Sequence, residues 1–329
     1  MDAVKNLLVL YTGGTIGMLQ TPEGLAPAGG FDARMREHLA QRSDAPDLQW
    51  TLRELNPLID SANMQQANWL AMRDAIVEAV ERDGHDGVLV LHGTDTLAYS
   101  AATLSFLLLG LPVPVLLTGS MLPAGTPDSD AWDNLVGALR HFERGLANGV
   151  QLYFHGQLLQ GCRASKLRSE AFDAFAVLPR HRDSERAQHV PAELGYGQVR
   201  QPVKLAVLPV FPGLCADYVQ GLVEAGVQGL LLECYGSGTG PSDDQALLDA
   251  LHQARQRGVM IVAISQCPEG AVVFDTYAAG SRLRDTGLVS GGGMTREAAL
   301  GKLFALLGAG LDVKTAERWF ALDLCGERA

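Results

Sequence analysis

A chain of 329 residues is long for one hydrophobic core, so two domains are expected. Hydrophobic residues at 47% and charged residues at 19% describe an ordinary globular protein. The formal net charge of -11, with no Lys/Arg cluster, argues against nucleic acid as a partner and for a small zwitterionic or neutral substrate. In chain order, "LLVLYT" (7–12) reads as a buried strand, followed by a polar loop and a helix near "DARMREHLAQ". Then come "LQWTLREL" (48–55), the helix "QQANWLAMRDAIVEAVERDG", the strand "GVLVLHG" (87–93) and the helix "LAYSAATLSFLLLG". "VPVLLTGS" and "VQLYFHG" continue the series. Continuous apolar strands alternating with helices predict a parallel sheet covered on both faces.

From 178 to 203 the composition turns polar and loses apolar periodicity, which reads as an interdomain connection. A second α/β series comes next with "VKLAVLPVFPG", "VQGLLLECYG", the helix "SDDQALLDALHQARQRG" and the strand "VMIVAISQC". Ser242 with Gln245 makes a capping-box pattern, and Gly258 stands where a left-handed C-terminal residue belongs. Thr295 marks the start of a last helix, "TREAALGKLFALLG". The expectation is two parallel-sheet α/β domains: a larger, flavodoxin/Rossmann-like one over 1–178, a connection over 179–203 and a smaller α/β domain over 204–329.

Three polar clusters directly follow apolar runs: Thr12-Gly13-Gly14-Thr15, Asp60-Ser61 and His92-Gly93-Thr94-Asp95-Thr96. Loops at the carboxyl ends of parallel strands share one edge, and ligands bind there. A dinucleotide reading of the first loop is weak, because "GGTIG" lacks the G-x-G-x-x-G spacing. A nucleophile reading explains more. A threonine just past a strand lies near free backbone N–H groups, and neighbouring glycines let a substrate carbonyl approach the main chain. Its hydroxyl needs a base. Lys166 in "CRASKLRS" is a candidate, oriented by a carboxylate such as Asp95, against the simpler reading of a solvated loop lysine.

The eight histidines do not cluster, so no metal is expected, and His92 reads as a satisfied core residue. The cysteines Cys162, Cys215, Cys234, Cys267 and Cys325 are scattered and odd in number, which suggests reduced thiols in a cytoplasm. The N-terminus has no signal-peptide pattern. The most apolar stretch, "LSFLLLGLPVPVLL", is interrupted by proline and too short to span a bilayer.

Together these segments resemble the bacterial asparaginase/glutaminase family, closest to its cytoplasmic type I members. "YTGGTIGM" and "LHGTDTLAYSA" are similar to its two signatures, and the likeness runs on through "PVLLTGS", "FDAFA", "VFPG", "LLLECYGSG", "QCPEGAV", "YAAG" and "MTREAALGKL". The resemblance implies hydrolysis of L-asparagine to L-aspartate and ammonia without a cofactor. It assigns Thr15 as nucleophile, Thr94 as activator and oxyanion partner, Lys166 as the lysine of the relay and Asp95 as its support. It also gives Asp95 the substrate α-ammonium and Ser61, with Asp60 and Gly14 beside the site, the α-carboxylate. It further implies a homodimer or homotetramer in which one subunit's second domain helps close another's site.

Three departures stand out. Many relatives carry a tyrosine on the loop after the nucleophile, whereas Leu25 stands near that place here; Tyr277, or else Tyr235, is the expected source of the phenol. "SDAWDN" has Ala131 where relatives have SDG, and Thr239 stands where asparagine is usual. The segment Leu19–Gly30, with three glycines and two prolines, reads as a mobile lid or as an ordinary surface loop. Glutaminase or broader amidase activity, and a non-catalytic amino-acid sensor, are the alternatives. The sensor would predict loss of Thr15, Thr94 or Lys166, and all three are present.

Overall fold

The computed structural model describes residues 4–22, 24–179 and 185–328. By its contacts the chain divides into two compact units, Met1–Val177 and Leu178–Ala329.

The first unit carries a six-stranded sheet. Its strands are β1 (Asn6–Gly13), β4 (Gln49–Ile59), β5 (Gly87–Leu91), β6 (Pro114–Thr118), β7 (Gly149–Phe154) and β8 (Gln157–Gln160). The order is β4-β1-β5-β6-β7-β8, parallel throughout except for the antiparallel edge strand β8. The five parallel strands therefore run second, first, third, fourth, fifth, which is the flavodoxin-like order, with its switch point between β1 and β5.

Side chains alternate along a strand. Leu7, Val9, Tyr11, Leu89 and Leu91 share one core with helices α1 (Phe31–Ala40) and α4 (Ala131–Glu143). The intervening Leu8, Leu10, Val88 and Val90 are equally buried, so both faces of the sheet are covered. Helix α2 (Gln66–Glu81) packs on α3 (Leu97–Leu107), and α3 is buried almost all round, which suits its near-continuous apolar run. Two hairpins are added to the sheet. Strands β2 (Met18–Thr21) and β3 (Gly24–Pro27) pair antiparallel, as do β9 (Ala164–Lys166) and β10 (Phe175–Val177).

In the second unit β11 (Leu205–Pro209), β12 (Gly229–Cys234), β13 (Met260–Ser265) and β14 (Val289–Ser290) form a parallel sheet in sequential order. Helices α5 (Ala216–Glu224) and α6 (Gln245–Gln256) bury Val219, Leu247 and Leu251 in its core, and α7 (Ala278–Asp285) adds Leu283. Helix α8 (Arg296–Gly308) lies on β11 to β13, and α9 (Val313–Ala321) packs on α8.

Helix ends obey side-chain chemistry. Thr295 caps α8 by accepting from the Ala298 amide, and Gly258 closes α6 at φ 87°. The start of α6 differs from the expected capping box. Asp244, not Ser242, accepts from the Leu247 amide at 3.1 Å. Ser242 lies two residues too early to reach the first turn's amides and is held in the preceding turn by a bond from its own amide to the Gly240 carbonyl.

Of the polar stretch after Val177, residues 180–184 lie outside the described residues. The stretch from 185 to 203 is tied to the second unit. The backbone around Arg186 pairs with that of Asp323, Glu193 accepts from the Trp319 indole at 3.0 Å, and Arg200 Nε donates to the Ala305 carbonyl at 3.0 Å. Inside this unit Lys302 is fully buried. It donates to the Phe320 and Leu322 carbonyls and pairs with the equally buried Glu327, whose carboxylate also accepts from the Leu324 and Cys325 amides. The C-terminal segment is thereby clamped by a buried ion pair whose hydrogen bonds are satisfied.

Candidate active site

The polar clusters lie at the carboxyl ends of β4, β1 and β5, with the switch point between the last two. Strand β1 ends in Gly13 and is followed by Gly14, at φ 112° and 80°, both strained for any other L residue. A Cβ on Gly13 would sit 2.4 Å from the Ile59 carbonyl oxygen, and one on Gly14 would sit 2.2 Å from the Gly93 nitrogen. Gly93 is flush against Ser61 in the same way, 2.5 Å from its Oγ, and Gly119 against the His92 carbonyl at 2.2 Å. The loops after β4, β1, β5 and β6 thus lock backbone to backbone. The sequence suggests that the glycines admit a substrate carbonyl; in the fold their missing side chains are replaced by neighbouring main chain.

The two threonines of TGGT have different surroundings. Thr12 is buried, and its Oγ1 donates to the Leu91 carbonyl at 2.9 Å, lacing β1 to β5. Thr15 opens a 3₁₀ turn, Thr15–Gly17, and is half-buried. On the neighbouring loop Thr94 is buried and accepts from Lys166 Nζ at 3.0 Å. The same Nζ donates to Asp95 Oδ1 at 2.9 Å. Lys166 ends β9, and its side chain is 20% exposed against 62% for Asp95. It is therefore not a solvated loop lysine. A lysine, a hydroxyl and a carboxylate converge at the mouth of β5, where the N-terminus of α3 adds its positive end.

Ser61 is 4% exposed and begins a 3₁₀ turn, Ser61–Asn63. Asp60 is exposed and its carboxylate caps that turn through the Ala62 amide at 3.3 Å. Thr96, the residue before α3, leaves the helix uncapped by its side chain and donates to the Ser61 carbonyl at 2.9 Å instead. Thr12 and Thr96, which the sequence places in polar clusters without separating them from Thr15 and Thr94, act as loop fasteners, as does Gly119. The signal for Thr12 and Gly119 is a hydroxyl or glycine at the end of an apolar strand.

His92 is fully buried and satisfied. The Trp69 indole donates to Ser100 Oγ at 2.9 Å, Ser100 faces His92 Nε2 at 2.8 Å, and Nδ1 faces the Gly93 carbonyl at 2.7 Å. Indole nitrogen only donates, and so this chain leaves Nε2 as the acceptor and the proton on Nδ1. Burial pushes the imidazole down to about 4, which keeps it neutral. Among the described residues no group of three or more His, Cys, Asp or Glu is placed to hold a metal ion.

The departures noted in the sequence have structural counterparts. Asp130 accepts from the Met121 and Leu122 amides, and Asn134 links it to the Gly119 carbonyl and the His155 amide. Ala131 sits buried in the first turn of α4 and leaves this knot intact. Thr239 closes a tight turn through reciprocal backbone bonds with Tyr235. Leu25 belongs to β3 and is 51% exposed, opposite Gln20 in a regular hairpin rather than an irregular loop. Tyr277 lies in the second unit at the start of α7, 61% exposed.

An asparaginase N-terminal model matches residues 6–188, and a glutaminase/asparaginase C-terminal domain model matches 204–320. L-asparaginase 1 of Escherichia coli K12 is 36% identical over 335 residues, covering 98% of each chain. The thermostable L-asparaginase from Thermococcus kodakarensis superimposes with a TM-score of 0.84 at 31% identity, over 98% of this chain and 99% of that one. L-asparaginase I from Vibrio cholerae O1 gives 0.83 at 32% identity, over 99% and 100%. None of the described helices is long and apolar enough to cross a membrane.

Proposed function

The chain belongs to the asparaginase/glutaminase family, and from that membership we propose that it hydrolyses L-asparagine to L-aspartate and ammonia through an ester on Thr15. The observation that carries the residue roles is Lys166, which reaches both Thr94 and Asp95 on the loop locked against the Thr15 loop. Thr15 Oγ adds to the side-chain amide carbon. Its proton passes through the Thr94–Lys166 relay to the leaving nitrogen, which departs as ammonia. Water then adds to the ester, the same groups take its proton, and the ester C–O bond breaks to release aspartate and restore the hydroxyl. Asp95 receives the substrate α-ammonium and Ser61 the α-carboxylate, with Asp60 and Gly14 shaping that end. Holding both α-groups sets the amide over Thr15, and orientation of this kind supplies much of the rate. Tyr277 is the proposed source of the phenol absent at Leu25. The five free cysteines support a reducing, cytoplasmic setting, and the assembly is read as a homodimer or homotetramer, which light scattering tests.

Ammonia release from asparagine and glutamine, side by side, tests the assignment. The two substrates differ by one methylene, worth about 1–3 kcal/mol in a pocket, so a measurable asparagine preference is expected. Thr15→Ala should lower turnover by at least about 10³-fold. Near-normal turnover in that variant would exclude Thr15 as nucleophile.

A further inference from the structure

The 3₁₀ turn that carries Thr15 is braced from α4, and we infer that Trp132 is the positioning residue that sets it. This rests on Thr15 being the nucleophile. The Trp132 indole N–H donates to the Ala124 carbonyl at 3.0 Å, and the Ala124 amide donates to the Ile16 carbonyl at 3.1 Å. Residue 124, gripped on both sides, therefore links the indole to the residue next to Thr15.

The indole cannot turn away. It is sandwiched between Phe31, at 5.9 Å and 12°, and His38, at 3.9 Å and 7°. The stack continues from Phe31 to Tyr11 at 5.2 Å. Tyr11 meets the same turn from beneath: a Cβ on Gly17 would lie 2.0 Å from the phenol oxygen, which donates to the Ala28 carbonyl at 3.2 Å. Arg34, its guanidinium 5.0 Å over the Phe31 ring, donates to the Gly17 carbonyl at 3.0 Å. Ile16 and Gly17, the two residues after Thr15, are thus held by one aromatic column and its attachments. Within that column the indole N–H is the group aimed at the strut to Ile16.

Two substitutions separate the hydrogen bond from the stacking. Trp132→Phe keeps an aromatic ring between Phe31 and His38 but removes the donor. Trp132→His restores a donor, because imidazole Nε2 occupies the ring position of indole Nε1, while giving up half the stacking surface. Trp132→Phe should lower kcat about tenfold, the scale of a small misplacement of a reacting group, with KM for asparagine and inhibition by aspartate unchanged within about twofold. Trp132→His should recover most of the loss, although it stacks less. The inference is overturned if Trp132→Phe keeps wild-type kcat, or if activity follows thermal stability so that the histidine variant is the poorer one. Thr15→Ala, assayed in parallel, tests the nucleophile separately: its outcome depends on the hydroxyl, and the ratio between the phenylalanine and histidine variants depends on the brace.

Discussion

Thr12 and Thr15 share a motif and do opposite work. One spends its hydroxyl on the Leu91 carbonyl inside the sheet, and the other stands half-buried on the turn beyond. The sequence shows which residue types are present, and the resemblance names Thr15. What separates the two physically is strand register, invisible until β5 lies beside β1. Lys166 is the clearest case. Its spacing alone favours a solvated lysine over a base, since a three-residue strand in a small hairpin has no periodic signature. Contact with Thr94 and Asp95 excludes the solvated reading. Tyr277 is the residue on which the proposed site most depends outside the first unit. Tyr277→Phe should reduce kcat at least about tenfold, or roughly 1.4 kcal/mol; unchanged turnover in a steady-state assay would remove it from the mechanism.

At the level of elements, the site is made by loops that touch through main chain. Gly14 makes the case sharply: its φ of 80° and the Gly93 nitrogen 2.2 Å from any added Cβ forbid a side chain twice over. Gly14→Ala should cost about 2–4 kcal/mol of stability, from left-handed strain together with overpacking. Its activity should fall even in the folded fraction, because the displaced Gly93 carries Thr94 with it. Urea denaturation alongside ammonia release would separate the two effects. The long strands and helices of the first sheet are legible from apolar runs, and so is the edge they share. Helix α4 is absent from the sequence expectation, although Ala131, Leu135, Ala138, Leu139 and Phe142 give it a helical stripe. Hairpin β2–β3 is hidden because its strands are short and only partly buried, and β9–β10 because three residues a strand are too few to show an alternation. Hairpin β2–β3 is two-stranded, and such ribbons are marginal by themselves.

At the scale of the whole molecule, one buried group in each unit makes acid act in opposite senses. His92, in the first, is kept neutral by burial and lowered from 6.5 to about 4. Its contribution to stability is fully present above 6.5 and is lost as pH falls toward 4, by about 1.4 kcal/mol per pH unit. Asp323, in the second, is raised from 3.8 to about 6 by burial and then by the Glu327 carboxylate beside it. Its contribution is fully present below 3.8 and is lost as pH rises through 6. Between pH 6 and 4, then, His92→Gln should be less sensitive to acid than wild type and Asp323→Asn more sensitive. Urea midpoints at pH 7, 5.5 and 4.5 measure both, and a shift of the two variants in the same direction would refute the assignment. The clamp around Lys302 also bears on how the protein is handled. Chain that continues past Glu327 leaves from beside a fully enclosed carboxylate, so purification handles and immobilisation linkers need a spacer that leaves this ion pair undisturbed.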